Sequence, residues 1–148
     1  MPRSTKSSKS SVHAIITKEA PSISALAEEV GRPIILVAAD ETEITTTSTS
    51  YPSSDQKYFL FCNTFSYVTM RVAVEGKIST SGQTLYVGIF KGGTQVGELS
   101  FTGTRYVVKN INISISDVPS TSSVQIGIRM KVTGGTGYVR MVEFYTIP

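Results

Sequence analysis

Apolar and polar residues alternate at every second position in several stretches of this chain, and this alternation is its strongest constraint on fold. A β-strand points successive side chains to opposite faces, so a period of two buries one face and leaves the other in solvent. The chain also has 29 Val and Ile against 12 Ala and Leu, a balance that favours strands over helices. The clearest apolar series are Val68, Met70, Val72 and Val74; Leu85, Val87 and Ile89; Ile111, Ile113 and Ile115; and Val124, Ile126, Ile128, Met130 and Val132.

Turn-forming residues separate these stretches, among them Gly92-Gly93, a candidate for a tight hairpin. Regular punctuation without intervening helices is typical of an all-β antiparallel sandwich or barrel. We predict nine strands, over 33–39, 42–48, 57–63, 66–78, 84–91, 95–102, 105–116, 123–132 and 137–147.

The residues before this β domain divide into two segments. Residues 1–11 (MPRSTKSSKSS) hold Arg3, Lys6 and Lys9 and no acid, so the formal net charge of +3 comes entirely from them. A basic segment without aliphatics after its first Met is predicted to be disordered. Residues 12–32 form a connecting segment with a short helix over 22–31, and the β-sandwich domain takes in 33–148.

The supply of reactive side chains excludes most catalytic and metal sites. Cys62 and His13 are the single cysteine and histidine, which excludes an internal disulfide, a cysteine zinc site and a His-rich metal site. A hydrolase built on two carboxylates, such as Glu75 and Glu143, is the remaining catalytic alternative. Charged residues on outward strand faces are normally only solvated, so we expect no enzyme activity, no cofactor and no small-molecule substrate.

No stretch is apolar for long enough to span a bilayer, since the longest apolar run is Ile34 to Ala39. The basic start is followed by Ser and Lys rather than an apolar run, so we expect neither a membrane span nor a secretion signal.

Some strands carry apolar side chains on both faces, which a two-layer sandwich does not bury by itself. Either the N-terminal helix or strand of the same chain covers the second face, or another subunit does. For the second case, the predicted interface residues are Phe59, Phe61, Tyr138 and Phe144.

A basic arm on a neutral body is also an indication of assembly. Basic arms contact nucleic acid, but three charges bind weakly unless many copies act together. The order of basic arm, connecting segment and about eight strands resembles the single jelly-roll capsid proteins of small icosahedral viruses. That resemblance implies a jelly-roll sandwich of about 8–9 strands, with 33–39 as an accessory strand.

The resemblance further implies a self-assembling capsid subunit, a large homo-oligomer found in the virion and assembled in the host cytoplasm or nucleus. Its arm (Arg3, Lys6 and Lys9) would contact the genome or a neighbouring subunit. Its short helix, through Ile23, Leu26 and Val30, would contact other subunits.

The alternative is a non-catalytic β-sandwich binding module that recognises a glycan or a protein partner, for example as a viral attachment component. Glycan sites often stack sugars on aromatic rings, and the chain has no Trp. The candidate stacking residues are therefore tyrosines: Tyr51, Tyr67, Tyr106 and Tyr138.

Overall fold

The structure, a computed structural model, describes residues 34–148, which form nine strands and no helix. The predicted arm and the predicted helix, with Arg3, Lys6, Lys9, Ile23, Leu26 and Val30, lie outside the described residues. Within the described part, nothing helical is long and apolar enough to cross a membrane. The strands are β1 (Ile35–Asp40), β2 (Ile44–Thr46), β3 (Lys57–Phe61), β4 (Thr69–Ile78), β5 (Leu85–Lys91), β6 (Thr94–Phe101), β7 (Val107–Ser114), β8 (Val124–Val132) and β9 (Gly137–Ile147).

The strands form two antiparallel sheets. One sheet has the order β1-β9-β4-β7, with β2 also paired to β9, and the other has the order β3-β8-β5-β6. Without β1, the orders β2-β9-β4-β7 and β3-β8-β5-β6 are those of a jelly roll with two Greek keys. The predicted all-β antiparallel sandwich is confirmed, and β1 is an accessory strand on the same neighbour as β2.

The alternation in the sequence becomes the inner face of each sheet. Val72 in β4 and Ile113 in β7 face inward from one sheet, and Val87 in β5 and Ile128 in β8 face inward from the other. All four are less than a tenth exposed, and they belong to one continuous core between the sheets. Burial of this apolar area is the main favourable contribution to folding.

The hairpin between β5 and β6 has the predicted turn. Lys91 pairs with Thr94, so Gly92 and Gly93 alone form the loop. Their φ angles are +60° and +83°. A two-residue loop of type I′ requires positive φ at both positions, which glycine adopts without strain.

Two buried polar residues connect segments of the two sheets by hydrogen bonds. Lys57, the first residue of β3, crosses to the other sheet and donates to the Asp40 backbone oxygen at 3.1 Å and the Asp40 carboxylate at 3.2 Å. Asn63 donates to the carbonyls of Tyr67 and Ile115 and accepts from the Tyr67 amide, which joins the segments after β3 and β7. Both polar groups are hydrogen-bonded, as burial requires.

Thr146 departs from this rule. Its side chain is 1% exposed in the inward row of β9, and its hydroxyl has no hydrogen-bond partner among the described residues. The hydroxyl therefore loses its hydration on folding without compensation.

We expect Thr146→Val to raise the free energy of unfolding by about 1 kcal/mol, because the methyl group removes an unpaired buried hydroxyl and keeps the β-branched shape. Urea unfolding monitored by circular dichroism measures the difference. Thr45→Val, on the exposed side of β2, is the matched control and should stay within about 0.5 kcal/mol. A less stable Thr146→Val protein would mean that the hydroxyl has a partner in solution.

Candidate functional site

On the outer side of the β3-β8-β5-β6 sheet, the segment 47–56, between β2 and β3, covers β5 and β8. The Tyr51 ring lies over Gly88, where a Cβ atom would come within 2.9 Å of its Cζ. Its hydroxyl donates to Glu98 at 2.5 Å, and its ring meets the edge of the Phe90 ring at a centroid distance of 5.5 Å. Burial, followed by the hydrogen bond to Glu98, raises the pKa of the Tyr51 phenol.

A buried ion pair anchors the same segment. The Asp55 carboxylate, with its side chain 1% exposed, accepts from Arg129 Nε at 2.8 Å and from the Gln125 amide at 2.9 Å. Arg129 also donates to the Pro52 backbone oxygen and stacks on the Phe90 ring at 4.0 Å. The second apolar face of β5 is thus covered from within the chain by segment 47–56, whereas the intramolecular interpretation of the sequence named the N-terminal helix or strand as the cover.

The outer side of the β1-β9-β4-β7 sheet has no described segment over it, and we call it the open face. Its middle consists of two rows of side chains that the strand register places side by side across three strands. One row is Tyr145, Arg71 and Asn112, and the next is Glu143, Ala73 and Asn110. We call these six residues the Ala73 patch.

Ala73 is the floor of the patch. It is 7% exposed although it lies outside the core, so the longer side chains around it stand above it. Neighbouring strands lie about 4.8 Å apart and alternate residues about 7 Å apart. The patch therefore measures about 10 by 7 Å, the size of one or two sugar rings.

Several groups of the patch have unused binding capacity. The side chains of Asn110 and Asn112 are exposed and make no hydrogen bond within the described part of the chain. Tyr145 is half-buried, and its ring makes no aromatic or cation contact with any described residue. Its hydroxyl donates to Glu143 at 2.7 Å, and this hydrogen bond is the main cause that raises the pKa of Tyr145.

A second group of side chains on the open face, which we call the Tyr106 cluster, is held together by an ion pair and cation–ring contacts among its own members. Arg140 binds Glu75 through two nitrogens at 3.0 Å and lies 3.9 Å over the Tyr106 ring. Lys77 lies 4.7 Å from the Tyr106 ring centre and 5.0 Å from that of Tyr138. The cluster consists of Glu43, Glu75, Lys77, Tyr106, Tyr138 and Arg140.

The direction of the pKa shifts in this cluster argues against general acid catalysis. The hydrogen bond from Arg140 lowers the pKa of Glu75, whereas a general acid needs a raised pKa. Burial, with the hydrogen bond to Glu43, raises the pKa of Tyr106 to about 12. Glu143, the other carboxylate of the hydrolase hypothesis, accepts from Tyr145. Among residues 34–148, no three metal-ligating side chains come together.

The structure places the residues predicted for a subunit interface in different environments. Phe61 and Phe144 are buried in the core, and Phe59 packs against it, so these three stabilise the single sandwich. Their strand neighbours Tyr58 and Leu60 point outward instead, 60% and 64% exposed. Tyr138 lies on the open face, inside the Tyr106 cluster.

The four tyrosines considered for sugar stacking also lie in different environments. Tyr67 is buried and Tyr51 belongs to the covered face, whereas Tyr106 and Tyr138 meet on the open face with cations against their rings. Among the described residues of the open face, the tyrosine ring without such a contact is that of Tyr145, which sequence reasoning did not propose for this role. The alternation of residues in β9 predicts that Tyr145 points outward. It does not predict that no described segment covers this side of the sheet.

No protein-family model and no curated protein sequence matches the chain. Among solved structures, it is similar to a carbohydrate-binding module from Cellvibrio mixtus lichenase 5A in complex with cellotriose (TM-score 0.49, 10% identity, 77% of this chain and 100% of that chain). It is also similar to the CBM36-1 domain of a multidomain xylanase from the hindgut metagenome of Trinervitermes trinervoides (TM-score 0.48, 12% identity, 78% and 98%). A third is the Bacillus thuringiensis delta-endotoxin Cry8Ea1 (TM-score 0.43, 13% identity, 87% and 22%). At this level of similarity, no function passes from those proteins to this chain.

The Glu75–Arg140 pair makes stability depend on pH. Because the folded-state pKa of Glu75 is lowered, the pair contributes fully above the ordinary carboxyl pKa, and its contribution is lost as pH falls through the folded value. We expect Glu75→Gln to lower the melting temperature at pH 7 and to match the wild type at strongly acidic pH. Thermal melts across this range measure the effect, with the exposed Glu41→Gln as control. A difference independent of pH would mean that the ion pair is not its cause.

Proposed function

We propose that this domain is a non-catalytic binding module that recognises a glycan on the open face, centred on the Ala73 patch. One observation carries the proposal: within residues 34–148, segment 47–56 covers part of one outer face, whereas the other outer face carries asparagine side chains without a hydrogen bond and an aromatic ring without a ring or cation contact.

The chemistry of the patch suits a sugar. A pyranose ring presents an apolar C–H face and a rim of hydroxyls that both donate and accept. The Tyr145 ring supplies a flat apolar surface. The amides of Asn110 and Asn112 donate and accept, and the Glu143 carboxylate accepts.

The charge of the open face argues against nucleic acid as its ligand. Arg71, Lys77 and Arg140 are balanced by Glu75, Glu143 and Glu43, and two of these acids lie on the same strands as the cations. Binding of nucleic acid depends on clustered positive charge that neutralises several phosphates.

We expect the full chain to bind a subset of glycans on an array, and Tyr145→Ala to weaken that binding about tenfold, equivalent to about 1.4 kcal/mol of lost stacking. Tyr58→Ala makes the same chemical change on the other sheet and should bind like the wild type. Isothermal titration with the best array glycan measures both variants.

Two results would contradict the proposal. One is a folded protein that binds no glycan of any class on the array. The other is an equal loss of affinity in Tyr58→Ala and Tyr145→Ala, which would place the site away from the Ala73 patch.

The second candidate function is the self-assembling subunit predicted from the sequence. The observation that favours it is the edge strand β3, which pairs with β8 alone among the described strands and where Tyr58 and Leu60 are more than half exposed. An apolar edge strand is a template for pairing with another chain, and Tyr is enriched in interfaces. The assignment of Arg3, Lys6 and Lys9 to genome contact stays a prediction within this candidate.

For this candidate, sedimentation velocity of the full chain should reveal a large oligomer that Leu60→Lys dissociates, because a buried unpaired ammonium opposes edge pairing. Val108→Lys, on the exposed edge strand β7, should leave the oligomer intact. A wild type that stays monomeric at high concentration, with and without nucleic acid, would contradict assembly. If particles form, deletion of residues 1–11 should lower their nucleic-acid content.

A further inference from the structure

Arg71 is the arginine of the open face without an acidic partner. In the described part of the chain, Arg129 is paired with Asp55 and Arg140 with Glu75, but Arg71 makes neither an ion pair nor a hydrogen bond. It is half-buried in the middle strand of its sheet, between Tyr145 on one side and Asn112 on the other. The charge therefore lies inside the patch proposed to bind a sugar.

The acids around Arg71 are engaged elsewhere. Glu143 is diagonal to it in the register and accepts from Tyr145, while Glu75, four residues along β4, is held by Arg140. Arg71 does act on its surroundings, because its charge opposes the rise in the pKa of Tyr145. The register places Arg71 directly beside Tyr145, and no carboxylate of the described residues pairs with its guanidinium.

A planar guanidinium matches a carboxylate, which it binds through two parallel hydrogen bonds. A sulfate offers similar oxygen geometry. On either side, the ring of Tyr145 and the amide of Asn112 suit the body and the hydroxyls of the same sugar. This arrangement fits a sugar that carries one anionic group.

We propose that the Ala73 patch recognises an acidic glycan, and that Arg71 binds the carboxylate of a uronic acid residue. The inference rests on the proposed glycan-binding function and names its ligand class. It places one anion at Arg71, with Glu143 diagonal to it and Glu75 four residues along β4, so the ligand has separated rather than consecutive acidic sugars.

The test compares two ligands that differ in one group. One is an oligosaccharide with a single glucuronic acid residue, and the other is the same oligosaccharide with its carboxylate reduced to the alcohol. We expect the full chain to bind the acid at least about tenfold more tightly, because a charge-assisted pair is lost on reduction. Isothermal titration measures both affinities, and a sulfated oligosaccharide of equal length distinguishes sulfate from carboxylate recognition.

The variants assign the effect to Arg71. Arg71→Gln should abolish the preference for the acid, and Arg71→Lys should retain part of it, because Lys keeps the charge but lacks the fork. Arg105→Gln, which removes one charge from an exposed loop, should keep the full preference. Circular dichroism checks that each variant is folded.

The outcomes separate the two proposals. If the wild type binds the acid and its reduced form equally well, the assignment of Arg71 fails and glycan binding stands. The same holds if Arg71→Gln keeps the preference, or if only the sulfated ligand binds. If no glycan of any kind binds, both proposals fail.

Discussion

The covering of one outer face by segment 47–56 determines how the rest of the molecule can be used. A jelly roll has two outer faces, and here the chain fills one of them with Tyr51, packed over Gly88, and with the Asp55–Arg129 ion pair. Burying two charges costs free energy unless further hydrogen bonds compensate. Gln125 supplies one such bond to Asp55, and the Pro52 carbonyl accepts another from Arg129. The segment is therefore fixed over β5 and β8 of this sheet, and among the described residues the opposite face is the one with no such covering segment.

The sandwich itself is predictable from the sequence because its physical cause is local. Val72, Val87 and Ile128 belong to alternating series, and each of those series becomes an inward row except at Val68, which precedes β4 and is 58% exposed. Turn chemistry predicts the β5–β6 hairpin equally well, since Gly92 and Gly93 both adopt positive φ. Strand limits differ mainly at the ends, as in β7, which is shorter than the predicted 105–116.

The face proposed to bind a ligand is less predictable, because a period of two gives a strand two faces without telling which of them points to the core. It shows that Tyr58 and Phe59 point to opposite sides of β3, but the side that faces the core depends on the partner strands. The aromatic residues Phe59, Phe61 and Phe144 were predicted at an interface because their strands are apolar on both faces, and they pack into the core. A glycine at position 88 in the middle of a strand is a signal of close approach and marks the covered face in advance. The unpaired state of Arg71 depends on contacts between distant strands, which no local pattern encodes.

Most charged groups of the open face are paired with a neighbour on that face. Arg140 takes Glu75, Tyr145 takes Glu143, and Lys77 lies against two tyrosine rings, so each of these groups is already engaged. Arg71 is left as a localised positive charge within a surface of balanced charge. A surface of this kind attracts polyanions poorly, since the engaged carboxylates repel a second anion. It discriminates in favour of a ligand whose single negative charge meets Arg71 while its neutral hydroxyls meet Asn110 and Asn112.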